Sequence, residues 1–260
     1  MIHVDPDWWK SLFDDIYLVT DAPFVCNPAL TKREVDVVEQ VLHLRPSDRI
    51  LDLCGGQGRH ALELARHGYQ YLMVLDYAPF LLQHGRQEAA DVGLDVSFCR
   101  GDARSLPLRS ACLDVVLLMA NSFGYFIDAA DDQRLLAEVM RVLRRGGRFL
   151  LDLMDYDYTV CRFLPESWHE ATEDVVVCWK RERTGDVIRV REMVLSKSKG
   201  LLRDRTYAER LYRPEHLCAV LEAVGFSHPR VHRNAFIYDP DDGRDYGVAT
   251  HRMLITVTKG

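Results

Sequence analysis

The sequence predicts an α/β fold: a mostly parallel β-sheet with helices on both faces, a reversed last strand, and an antiparallel β-meander inserted after the fifth strand. Three observations lead there. Between residues 49 and 153, short and nearly continuous apolar runs alternate with helical stretches, the pattern of parallel strands buried on both sides. After about residue 158 the alternation gives way to three longer strand-like stretches joined by tight turns, which is a meander and not a further strand–helix unit. At 260 residues, 48% of them hydrophobic, the chain can bury one large core with an elaboration.

The first 46 residues read as a helical lid crowded with aromatics: Trp8, Trp9, Phe13, Tyr17 and Phe24. Thr31-Lys32-Arg33-Glu34 reads as a capping box opening a helix that stops ahead of Pro46. Strands are expected over 49–53, 71–75, 96–100, 113–119 and 148–153, and helices over 59–67, 79–91 and 130–144. Arg144-Arg145-Gly146-Gly147 reads as the stop of the last of these helices. The meander takes 172–182, 187–197 and 202–212, with turns at Thr184-Gly185-Asp186 and Lys199-Gly200. A helix over 214–224, a strand near 230–236 and a strand over 252–258 complete the chain. The domain reading is therefore 1–46 as lid, 47–158 with 213–260 as the sheet domain, and 159–212 as an inserted lid or oligomerisation subdomain.

Composition narrows the function. A net charge of −6 with 28% charged residues argues against broad nucleic-acid binding, which shows as a basic excess. The seven cysteines form no C-x-x-C pair, so reduced thiols in a cytoplasmic protein fit better than disulfides or structural zinc. No His/Cys/Asp cluster has metal-ligand spacing, and no metal is expected. The start lacks a signal-peptide pattern, and no apolar run approaches the ~20 residues that span a bilayer, so no membrane is expected.

The chemistry concentrates at Ile50-Leu51-Asp52-Leu53-Cys54-Gly55-Gly56-Gln57-Gly58-Arg59-His60. Gly56, Gly58 and Ala61 satisfy G-x-G-x-x-A at a strand-to-helix turn, where backbone approaches a ligand and a helix N-terminus favours an anion. Asp76 ends the second strand, placed to accept hydrogen bonds from ribose hydroxyls, and Asp102 follows the third, placed to accept from an adenine amino group. Three such features on successive strand ends describe a nucleoside site beyond the carboxyl edge of a Rossmann-like sheet.

This segment resembles motif I of the class I S-adenosylmethionine-dependent methyltransferases, with Cys54 in place of the pattern's first glycine. The resemblance covers roughly residues 45–157 and 213–260. It implies S-adenosyl-L-methionine as cofactor, S-adenosyl-L-homocysteine as product and a small-molecule substrate. Asp52, Cys54, Gly55, Gly56, Gly58 and Arg59 would serve the methionine part, Asp76 and Tyr77 the ribose, Asp102 and Ala103 the adenine, and Ala120 and Ser122 the reactive end. Ser122-Phe123-Gly124-Tyr125-Phe126 is similar to bacterial sugar-amine N-methyltransferases, which favours nitrogen over oxygen as the methylated atom. Phe123, Tyr125, Asp155 and Tyr156 are the candidate substrate contacts, with core packing the alternative for Phe123. In the resembling sugar-amine enzymes an N-terminal tyrosine closes over the cofactor, a place Tyr17 would take, as proton acceptor through water or as a lid. His169 is a second candidate base, or a structural histidine.

NAD-dependent dehydrogenases share G-x-G-x-x-A, but they usually continue with a second parallel half and give no reason for Asp102. A methyltransferase acting on RNA or protein is the other alternative, although the Asn/Asp-Pro-Pro-aromatic motif of base methylases is missing. The basic meander residues Lys180, Arg181, Arg183, Arg189 and Arg191 read as a solvated face, an anion contact or a homo-oligomer contact.

Overall fold

The fold is taken from a computed structural model that describes residues 1–237 and 251–260, with the side chains of 234–237 also outside the description. The chain opens with a 3₁₀ turn (Trp8–Lys10), two single-turn helices, α1 (Tyr17–Thr20) and α2 (Ala22–Val25), and the long α3 (Pro28–Leu42). The sheet domain follows as β1 (Arg49–Leu53), α4 (Arg59–Arg66), β2 (Tyr71–Asp76), α5 (Pro79–Asp91), β3 (Ser97–Arg100), β4 (Leu113–Leu118), α6 (Ala129–Val142) and β5 (Leu143–Met154). A short α7 (Tyr156–Cys161) leads to four antiparallel strands: β6 (Glu166–Glu170), β7 (Val175–Thr184), β8 (Val187–Ser196) and β9 (Gly200–Arg210). Finally α8 (Pro214–Val224), β10 (Phe226–Ile237) and β11 (His251–Lys259) return to the first sheet.

The seven strands lie in the order β3-β2-β1-β4-β5-β11-β10. The β1–β5 strands pair parallel, and β11 runs against both of its neighbours. The strand order reverses beside β1, whose partners are β2 on one side and β4 on the other, so a crevice opens at their carboxyl ends. Successive strand residues face opposite sides. Leu51, Leu53, Val116, Leu118, Phe149 and Leu151 pack with Leu135, Val139, Leu217 and Leu221 of α6 and α8. Ile50, Val115, Leu117 and Leu150 pack with Val35, Val38 and Leu64 of α3 and α4. Both faces are thereby sealed, and each fully buried aliphatic side chain contributes roughly 1.5–3 kcal/mol.

Three local expectations are corrected. Helix α3 starts one turn before Thr31: the Asn27 side chain accepts from Leu30 N at 3.0 Å, and Pro28 takes the first helical position. The Thr31 hydroxyl instead donates to Asn27 O at 3.0 Å inside the helix. Helix α6 ends at Val142, and Arg144–Gly147 bulge out of β5, because Leu143 pairs with Leu113 and Arg148 already with Val115. The meander has a fourth strand, β6, paired to β7 in register from Glu166↔Lys180 to Glu170↔Val176.

The four-stranded sheet and the N-terminal segment hold each other. Arg203 on β9, 5% exposed, donates to Leu12 O at 3.0 Å, to Asp14 Oδ1 at 2.7 Å and to Glu192 Oε1 at 2.6 Å. Ile2 N donates to Glu182 Oε2 at 2.6 Å, and Trp8 Nε1 to the Tyr125 carbonyl at 3.2 Å. Among the described residues no helix is long and apolar enough to cross a membrane.

Candidate active site

The strand tips open into a cleft of about 990 Å³. Fourteen candidate residues named from the sequence line it: Asp52, Cys54, Gly55, Gly56, Arg59, Asp76, Tyr77, Asp102, Ala103, Ala120, Ser122, Phe123, Tyr125 and Tyr17; His60 lines it as well. Its floor is the glycine turn. Gly58, also expected on the cofactor, does not line the cleft: it sits at φ +75° with its backbone turned to β2, where a Cβ would lie 2.8 Å from Val74 Cγ2, so only glycine fits. Cys54 adopts φ +54° without being glycine, a conformation that disfavours a side chain by roughly 1–2 kcal/mol. This explains why the resembling pattern has glycine at that position.

Asp52 is 1% exposed, and among the described residues its carboxylate oxygens make no ion pair and no full hydrogen bond, the Ala61 backbone N–H only approaching them. Burial pushes it up to about 7 against the pull of Arg59. A Cβ on Gly55 would lie 2.6 Å from Asp52 Cγ, so the turn leaves room only for this carboxyl. A buried acid without a partner in a cleft wall is completed by a cationic ligand group. Asp76 accepts from Gly56 N and Ala78 N, each at 2.8 Å, and keeps lone pairs for two further donors. Burial raises its carboxyl, and these backbone donors oppose the rise. Asp102 is raised by burial but held below its ordinary value overall by the forked contact with Arg104, at 2.6 Å to Oδ2.

Trp9 closes the cleft at the Tyr77 and Asp102 end, edge-on to Tyr77 (4.8 Å) and Phe126 (5.6 Å), with Arg104 5.2 Å above its ring. It packs with Trp8, Leu12 and Val4 and also lines the cleft, a place no motif marks in the sequence. At the reactive end, Ala120 and Asn121 are consecutive left-handed residues, φ 55° and 59°, pinned where Asp152 Oδ2 accepts from Ala120 N at 2.8 Å. Asp152 pairs with Arg252 at 3.1 Å, and Arg252 and Arg59 both meet the fully buried Glu34. His60 Nε2 lies 3.0 Å from the same Glu34, and burial lowers this imidazole to about 4. Arg59, expected on the cofactor carboxylate, lines the cleft while bound to Glu34 and Thr31.

A second, open hollow lies outside this cleft and shares Phe13, Tyr17, Val25, Arg59, Ala120 and Tyr125 with it. Tyr17 therefore stands between the two, packed edge-on to Phe13 at 5.2 Å. Burial holds its phenol well above the ordinary value, so it is protonated at neutral pH. His169 lines the outer cavity only, stacked on Trp179 at 4.9 Å. Asp155 and Tyr156, expected to meet substrate, line neither cavity. Asp155 caps α7 by accepting from Tyr158 N at 2.9 Å. The Tyr156 hydroxyl donates to Asp186 at 2.7 Å under the Arg213 guanidinium. Asp21 and Glu209, which no motif marks, do line the outer cavity. Among the described residues, Asp36, Glu39 and His67 bring candidate metal-ligand atoms within 4.8 Å of one another, on α3 and after α4, outside both cavities.

Residues 50–147 match a family described as a methyltransferase domain. A ubiquinone/menaquinone biosynthesis C-methyltransferase of Acidiphilium cryptum is 34% identical over 127 residues, 48% of this chain and 49% of the relative. The chain spans about half the length of the curated relatives it matches. Among solved structures, an S-adenosylmethionine-dependent methyltransferase from Clostridium acetobutylicum aligns with a TM-score of 0.72 at 19% identity, over 94% of this chain and 96% of the other. The sugar N-methyltransferase KedS8 from a Streptoalloteichus species aligns with a TM-score of 0.65 at 22% identity, over 88% and 87%. These structural likenesses bear out the expected Rossmann-like fold with its separate antiparallel sheet.

Proposed function

We propose that the whole chain, whose residues 50–147 match a methyltransferase domain, is an S-adenosylmethionine-dependent methyltransferase acting on a small molecule, with nitrogen as the accepting atom. The observation that carries this reading is Asp52, a buried carboxyl without an ion pair among the described residues, at the end of β1 beside the acid-bearing tips of β2 and β3. When bound, the cofactor supplies a methyl carbon on a sulfonium. The chain's own task is to bind, orient and exclude water, and orientation of this kind is worth roughly 7–11 kcal/mol. Asp52 meets the cationic end, Asp76 the ribose hydroxyls, and Asp102 with Ala103 the adenine edge. Tyr17, protonated at the boundary between the cavities, orients the acceptor as a hydrogen-bond donor and shuts out solvent.

A deep two-chamber cavity supports a small-molecule acceptor over RNA or protein. Nitrogen is supported by the acids and aromatic rings of the outer chamber, and by the likeness to a sugar N-methyltransferase. Carbon methylation is a second reading, favoured by the curated C-methyltransferase relatives. Calorimetry with S-adenosylmethionine and with NAD is expected to show binding of the first alone; binding of NAD alone would end the proposal. Transfer of an isotope-labelled methyl group to parallel panels of amines, phenols and quinols then separates nitrogen, oxygen and carbon acceptors.

A further inference from the structure

The outer chamber brings acids and aromatic rings together from distant parts of the chain. Asp21 arrives between α1 and α2, and Glu209 arrives near the end of β9. Around them stand Trp8, Phe13, Tyr17, Tyr125 and Tyr207. Their rings are interlocked: Trp8 lies 5.1 Å from Tyr125 and 5.6 Å from Tyr207, and Phe13 stacks on Tyr125 at 6.0 Å.

The chamber's other charges are mostly matched. Glu192 is bound by Arg203 and by Trp179 Nε1 at 3.0 Å, and Arg203 also holds Asp14. Arg59 and Arg252 face Glu34 and Asp152, and Glu170 pairs with Lys197 at 2.8 Å. Arg181 bonds Ser167 Oγ at 2.8 Å and lies 5.1 Å over the Trp179 ring. Glu173 lines the rim. Asp21 takes one hydrogen bond, from the Thr20 hydroxyl at 2.7 Å, and no ion pair, and Glu209 makes neither contact among the described residues. Burial pushes both carboxyls up to about 7, against Arg203 for Asp21 and Arg181 for Glu209. Rings that present their π faces and edges beside carboxylates lacking a cation form the chemistry of ammonium recognition.

We propose that Asp21 and Glu209, with the Trp8–Phe13–Tyr125–Tyr207 aromatic wall, form the seat of a cationic amine in the acceptor. This rests on the methyltransferase reading for its purpose but not for its test. Three probes share a hydroxyethyl group: choline, a cation; 3,3-dimethylbutan-1-ol, its neutral isostere; and isethionate, an anion. Each is titrated into the full chain saturated with S-adenosylhomocysteine, following the fluorescence of Trp8, Trp168 and Trp179, which line the chamber. Choline is expected to bind at least tenfold more tightly than its neutral isostere. Asp21→Asn and Glu209→Gln should each reduce that preference severalfold, and the double variant should abolish it with S-adenosylhomocysteine affinity unchanged. Equal binding of choline and the neutral isostere by the unaltered protein would overturn the proposal, as would isethionate binding best or a preference that survives the double variant. Failure of S-adenosylhomocysteine to bind in the same samples would instead count against the methyltransferase reading.

Discussion

The cofactor cleft and the outer chamber share a wall, yet they are built by opposite routes. The cleft is built on four short segments, each at the carboxyl end of a parallel strand, and Trp9, Phe13, Tyr17 and Val25 cover it from the N-terminal segment. The outer chamber is assembled mainly from residues 8–25 and the antiparallel sheet, with Arg59, Ala120, Asn121, Tyr125, Met154 and Arg252 contributed by the sheet domain. In the first, local sequence dictates geometry, because a strand tip and a tight turn leave few conformations. In the second, tertiary contacts dictate it, and the sequence carries no compact signature.

The contrast can be broken experimentally. Asp76→Ala should weaken S-adenosylhomocysteine binding about a hundredfold or more, since two charged hydrogen bonds at roughly 1.5 kcal/mol or more each are lost. Calorimetry showing unchanged affinity would remove Asp76 from the cleft's function. Gly85→Ala on α5 should destabilise the fold by roughly 1–3 kcal/mol in urea unfolding, because its Cβ would lie 2.2 Å from the Gln57 carbonyl oxygen. By contrast Trp168→Ala, at 67% exposure on the outer chamber, should shift stability by about 0.5 kcal/mol or less. A large loss there would mean that the chamber is as tightly determined as the cleft.

Asp52 supplies a pH test. Its carboxyl in the free protein is raised to about 7, so below that it is mostly protonated and neutral. A cationic ligand favours the ionised form, so binding of S-adenosylmethionine releases a proton on the acid side. Affinity should rise with pH up to about 7 and flatten above it. A flat profile across that range, or a rise that persists in Asp52→Asn, would contradict the assignment. An effect of opposite sign is expected at Cys54, where glycine relieves a left-handed side chain: Cys54→Gly should stabilise the protein by about 1 kcal/mol or less in thermal unfolding.

What the sequence disclosed follows the same division. Five parallel strands, their order of residues across two faces, and the acids Asp52, Asp76 and Asp102 could be read because each depends on neighbours within a few positions. Glu34 could not. It looked like the end of a capping box, whereas its partners Arg59 and Arg252 are 25 and 218 residues away. Arg144–Gly147 had the composition of a helix stop and became a bulge, because β5 continues through it to meet β4. Asp155 and Tyr156 were named for their rim position, but capping and the Arg213 contact engage them. Asp21 and Glu209 escaped notice because neither sits in a motif, and strand pairing in a separate sheet brings the second of them to the chamber.

Arg203 has a consequence for how this chain could acquire new preferences. One guanidinium grips Leu12 and Asp14 from the beginning of the chain and Glu192 from the added sheet. The two pieces are therefore inherited as a matched pair: a chimera that replaces residues 166–210 alone leaves its leading segment without its anchor. Transplanting a different acceptor preference onto this scaffold means exchanging residues 1–25 and 166–210 together and refitting Tyr125, which both cavities share.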